Sequence, residues 1–102
     1  MGTYGFHPEA LAEYDEAAKF YLEHASVLIA ASFVAEVETS IAKILLKPEI
    51  WRAVEAPGIR RYLIHRFPYA LYYRWESETS RVVIYAVMHL SRKPGYWKQR
   101  TA

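Results

Sequence analysis

A chain of 102 residues with 53% apolar and 24% charged residues has the material for one domain, 1–102, with its own core, and is too apolar for a disordered segment. It contains no cysteine, which excludes a disulfide scaffold, a thiol nucleophile and a thiolate zinc site. The formal net charge of +2 conceals an uneven distribution: residues 1–50 carry three Lys against eight Asp and Glu, a balance of −5, and residues 51–102 carry ten Lys and Arg against three Glu, a balance of +7. One acidic and one basic face are expected, the basic one either solvated or suited to a polyanion or an acidic protein segment.

The first residues, Met1-Gly2-Thr3-Tyr4-Gly5-Phe6, lack the basic start and apolar run of a signal peptide. The longest uncharged apolar stretch, 27–31, is far too short for a bilayer. A cytoplasmic protein without membrane contact is expected. Residues 3–6 fit a short strand. His7-Pro8-Glu9-Ala10 then reads as a helix start, because proline suits the first turn and Glu9 complements the dipole. Leu11, Tyr14, Ala18, Tyr21 and Leu22 supply an apolar face at helical spacing, with Glu13, Glu16, Lys19 and Glu23 on the other side.

Ser26 fits the cap of a second helix. Its stripe is Ala30, Phe33, Val37, Ile41, Ile44 and Leu45, and Pro48 ends it. So short a break predicts an antiparallel helical hairpin. Beyond Pro57-Gly58 the period changes to two, with strands expected at 59–66, 69–76 and 81–89. Phe67-Pro68 marks a turn between the first two, and residues 76–80 a hairpin loop. The order predicts an α+β domain, an N-terminal helical hairpin packed on a small antiparallel sheet whose other face stays open for a ligand.

Neither a phosphate-binding loop nor a dinucleotide glycine fingerprint is present, and the four histidines are scattered, so no metal and no cofactor are expected. A cationic set remains on the strands and tail: Arg60, Arg61, His65, Arg66, Arg74, His89, Arg92, Lys93 and Tyr96. Metal-free RNA cleavage needs a base for the 2′-hydroxyl, an acid for the leaving oxygen and cations for the phosphate. His65 or His89, Tyr96 and the arginines have the required chemistry. The opposing reading makes the aromatics core residues and pairs the arginines with Glu55, Glu76 and Glu78.

Several segments carry a family resemblance. They are His7-Pro8-Glu9-Ala10, Phe33-Val34-Ala35-Glu36-Val37-Glu38, Pro48-Glu49-Ile50-Trp51, Ile59-Arg60-Arg61, Arg66-Phe67-Pro68-Tyr69-Ala70-Leu71-Tyr72-Tyr73, and Ala86-Val87-Met88-His89 followed by Arg92-Lys93-Pro94, Tyr96-Trp97 and Arg100. In order and spacing the chain resembles the RelE/ParE superfamily of type II toxin–antitoxin toxins, often labelled plasmid stabilisation proteins. The resemblance implies a growth inhibitor silenced by a cognate antitoxin, with promoter DNA bound only through that antitoxin.

RelE-like members cut mRNA on the ribosome. That reading implies catalytic roles for Arg61, Arg92 and Tyr96, with His89 assisting. ParE-like members poison DNA gyrase without chemistry of their own. The resemblance places an arginine of the RelE-like set where this chain has Ala70, and the Tyr96-Trp97 tail looks ParE-like, so gyrase inhibition is the preferred expectation. Arg60, Arg61, Arg66, Trp97 and Arg100 are then expected to bind antitoxin or target. A non-toxic antitoxin-binding module is the third reading.

Overall fold

A computed structural model describes residues 2–54 and 56–101. Met1 and Ala102, at the ends of the expected domain, lie outside the described residues, as does Glu55, an expected partner of the arginines. The chain runs β1 (Thr3–Phe6), α1 (Pro8–His24), α2 (Val27–Leu46), β2 (Arg52–Ala53), β3 (Ile59–Leu63), β4 (Tyr69–Glu76), β5 (Arg81–His89) and a short 3₁₀ turn (Lys98–Thr101). Two helices pack on one sheet of order β1-β5-β4-β3-β2.

Local chemistry sets most boundaries. The His7 imidazole accepts from the Glu9 N–H, and Pro8 opens α1. Ser26 caps α2 by accepting from the Ile29 N–H at 3.0 Å, and α2 stops two residues before Pro48. The expected stripe of α2 is correct: Phe33, Val37 and Ile44 are fully buried, and Ala30 and Ile41 nearly so. On α1 the expected stripe holds at Tyr14, Ala18 and Tyr21, which pack against the core, and fails at its ends: Leu11 and Leu22 are about half exposed, and Ala10 and Ala17 are the most buried positions. The Glu38 carboxylate ties the hairpin to the sheet by accepting from the Tyr4 and Tyr14 hydroxyls.

The expected meander of β3, β4 and β5 is antiparallel throughout, but the sheet as a whole is mixed, because β1 pairs with β5 in parallel. The first meander strand ends at Leu63 rather than at residue 66. Arg66 has φ +73°, and the Ile64 N–H already bonds the Tyr69 carbonyl to close the turn. In the β4–β5 ladder the register shifts: Tyr72 pairs with Ala86 and Tyr73 with Ile84, which leaves Tyr85 as an extra, bulged residue.

The largest correction concerns the face opposite the helices, which was expected to be open. It carries a second core of Ala56, Ile59, Ala70, Tyr72, Ala86, Met88 and Trp97. The Trp97 ring lies 4.6 Å from that of Tyr72. Ala70 and Ala86 are wholly buried in this cluster, and their small side chains leave room for the indole.

Candidate functional site

The densest polar arrangement lies where α1, the second half of β5 and the C-terminal tail meet. β1 is only four residues long and the chain turns into α1 at Pro8, so among the described residues no strand pairs with the outer edge of β5 beyond Ile84. An exposed edge N–H there needs an acceptor. Glu13 of α1 supplies it, with Oε1 accepting from the Val87 N–H at 3.0 Å.

The tail brings three more donors to the same carboxylate. Arg100 makes a bidentate pair with Oε1 (2.9 Å) and Oε2 (3.1 Å). Tyr96 donates its hydroxyl to Oε2 at 2.6 Å, and Arg92 donates from Nη1 at 3.2 Å. The bulge at Tyr85 matters here too, because the Tyr85 carbonyl accepts from Arg100 Nη1 at 2.9 Å. Arg92 also stacks over the Tyr96 ring, 3.7 Å from its centroid. The Glu13 and Arg100 side chains are only 12% and 8% exposed, against 52% for Arg92.

The electrostatics follow from that geometry. Burial opposes the Glu13 charge, yet the hydrogen bonds from Arg100, Tyr96 and the Val87 N–H, with the charge of Arg100, outweigh it. Its pKa lies below the ordinary 4.5. Tyr96 is pushed well above the ordinary 10 by burial and by its hydrogen bond to the Glu13 carboxylate and the charge there. The hydroxyl is thus a held donor.

The residues singled out from the sequence separate into groups. Arg92 and Tyr96 meet at Glu13. His89 shares a cleft of about 200 Å³ with Glu13, Phe20, Tyr69 and Arg92, but its Nδ1 accepts from the Ser91 N–H and lies 2.7 Å from Ser91 Oγ. Arg61 is elsewhere: it stands on β3, two strands from β5, beside a cleft with Val54, Tyr72 and Trp97. Arg60 points to the helix side and donates to the Trp51 carbonyl at 2.9 Å. Arg66 is exposed in the turn. Trp97 is 2% exposed and part of the second core. Arg100 is committed to Glu13.

Glu13 was missed, having been assigned to the charged side of α1. The available signal was its spacing: it falls three residues after Ala10 and four before Ala17, on the buried stripe. Among the described residues, no group of three His, Asp or Glu is placed to hold a metal.

One comparison identifies a family and another the fold. Residues 4–94 match the family model described as the ParE toxin of the type II toxin–antitoxin system parDE. No curated protein matches in sequence. Among solved structures, a chain of the chromosomal ParDE system from P. aeruginosa superposes with a TM-score of 0.74 at 17% identity, over 89% of this chain and 97% of that one. A chain of the intact E. coli RelBE toxin–antitoxin complex gives 0.64 at 16% identity, over 90% and 100%. The isolated E. coli RelE toxin gives 0.63 at 16% identity, over 99% and 97%. The structural likenesses establish the shared fold, and with the family match over residues 4–94 the chain belongs to the ParE toxin family of type II toxin–antitoxin systems.

Proposed function

We propose that this protein is a growth-inhibiting cytoplasmic toxin, silenced by a cognate antitoxin, that acts on DNA gyrase through protein contacts and cleaves no RNA. The observation carrying this reading is the Glu13 carboxylate. It holds Tyr96 and Arg92 together with Arg100, so two of the four side chains that an RNA-cleaving set would use are already engaged by an internal anion. A phosphate entering there would meet the Glu13 charge, and proton donation from Tyr96 would have to break a 2.6 Å bond to it. Ala70 supports the same reading: at 0% exposure within the second core it has no room for an arginine. Arg61 stands apart from the other three proposed catalytic residues.

Induction without antitoxin is expected to raise a DNA-damage response, and the purified protein to inhibit gyrase supercoiling or trap DNA breaks. Tyr96→Phe is expected to keep its toxicity. Codon-phased mRNA cuts that disappear in Tyr96→Phe and Arg92→Ala would establish the nuclease reading in its place. Unimpeded growth on induction would establish the non-toxic module.

A further inference from the structure

Arg52 and Arg61 are direct partners across the β2–β3 ladder. Their side chains therefore leave the same face of the sheet, with Cβ atoms about 5 Å apart. Like charges in that register weaken an antiparallel pair. The other arginines of this region and of the tail have acceptors: Arg60 the Trp51 carbonyl, Arg74 the Pro57 carbonyl, Arg92 and Arg100 the Glu13 carboxylate. Arg52 and Arg61 have neither a carboxylate nor a carbonyl partner among the described residues.

Both line a cleft of about 380 Å³ with Trp51, Tyr62 and Leu63. Its surroundings are apolar as well as basic. Leu63 is 55% exposed, and Ile50, next to Trp51 in the chain, is 62% exposed. β2 covers only Arg60 and Arg61 of β3, so among the described residues no strand lies against the outer edge of the sheet at Leu63. Two arginines held face to face beside exposed Leu63, with no neutralising partner among the described residues, weaken the ladder of the free chain rather than support it.

We propose that this corner is a docking site for an acidic, apolar segment of the antitoxin, one carboxylate seated between Arg52 and Arg61 and a neighbouring apolar side chain on Ile50 and Leu63. The proposal rests on the toxin–antitoxin reading above and adds the place and chemistry of the contact. Charge complementarity selects the carboxylate, because a guanidinium pair binds one with directed, charge-assisted hydrogen bonds. The apolar rim selects a peptide over a nucleic-acid backbone, which would use the arginines and leave Ile50 and Leu63 wet.

The test uses the full chain and its cognate antitoxin, sought as the product of a reading frame beside its gene. Arg52→Glu is expected to weaken their complex about 30-fold or more. In the same variant the new carboxylate faces Arg61, so the thermal midpoint of the free protein should stay level or rise. Arg81→Glu, on β5 at the far side of the sheet, should leave binding unchanged. Loss of binding together with loss of stability would overturn the proposal, as would unchanged binding in Arg52→Glu and Arg61→Glu. Arginine-dependent capture of a single-stranded RNA oligonucleotide with antitoxin binding intact would assign the site to nucleic acid and overturn it as well. A wild-type chain that forms no complex at all would sink the toxin–antitoxin reading itself, and this site with it.

Discussion

Glu13 accepts five hydrogen bonds from β5 and the tail. Removing one partner of a buried ion pair costs far more than the pair contributes, because the other charge stays buried. Glu13→Gln keeps the shape but leaves the buried Arg100 guanidinium only the Tyr85 carbonyl and the exposed Glu9 carboxylate, and a loss of about 3 kcal/mol is expected in urea unfolding. The pH dependence fixes the cause. The folded pKa of Glu13 lies below 4.5, so its contribution is fully present above that value and disappears as pH falls through the folded pKa. Wild type and Glu13→Gln should therefore converge in stability under acid. A gap that persists well below the folded pKa would mean that packing, not charge, links α1 to the tail. Tyr96→Phe removes one bond to the same carboxylate and should cost about 1.5 kcal/mol. None of this was legible from the charge pattern of α1 alone. A glutamate in a helix is usually solvated, and its three tail partners lie 79 to 87 residues away.

At the scale of elements, the tail acts as a strap over the sheet. Trp97 fills the second core against Tyr72, Ala70 and Ala86, and Arg100 fastens it to α1. Trp97→Ala is expected to cost about 3 kcal/mol or more and to increase binding of a hydrophobic dye such as ANS as the sheet face opens. An unchanged unfolding midpoint would show that the strap is dispensable. The helices and the meander strands were readable because their signals are local: Ser26 as cap, Pro48 as stop, Val, Ile and Tyr at alternate positions. The strap was not, because residues 90–102 have no period and their partners are on distant strands. The bulge at Tyr85 was hidden for a related reason. It shows only against the register of β4, where Tyr72 and Tyr73 pair with Ala86 and Ile84.

For the whole molecule, the charge asymmetry between the two halves has two uses. Part of it is internal: Glu9 and Glu13 from the acidic half meet Arg92 and Arg100 from the basic half. The remainder is surface, with Arg52, Arg61 and Arg66 on the side of the sheet that β2 and the β3–β4 turn define. The sequence sum could not separate these uses, since it counts charges without their neighbours. Salt does separate them. Raising it from about 0.1 M to about 1 M shortens the screening length from about 10 Å to about 3 Å. The Glu13–Arg100 pair is buried and bidentate, so screening acts on it weakly, and the unfolding midpoint of the free protein should move little. Repulsion between Arg52 and Arg61 is partly exposed and should ease, which works in the same direction. Association with an acidic antitoxin segment depends on exposed charge and should slow at least about tenfold over that range. Stopped-flow mixing at several salt concentrations, beside thermal melts of the free protein, reads both. If the melt collapses while association keeps its rate, the asymmetry serves the fold and not recognition.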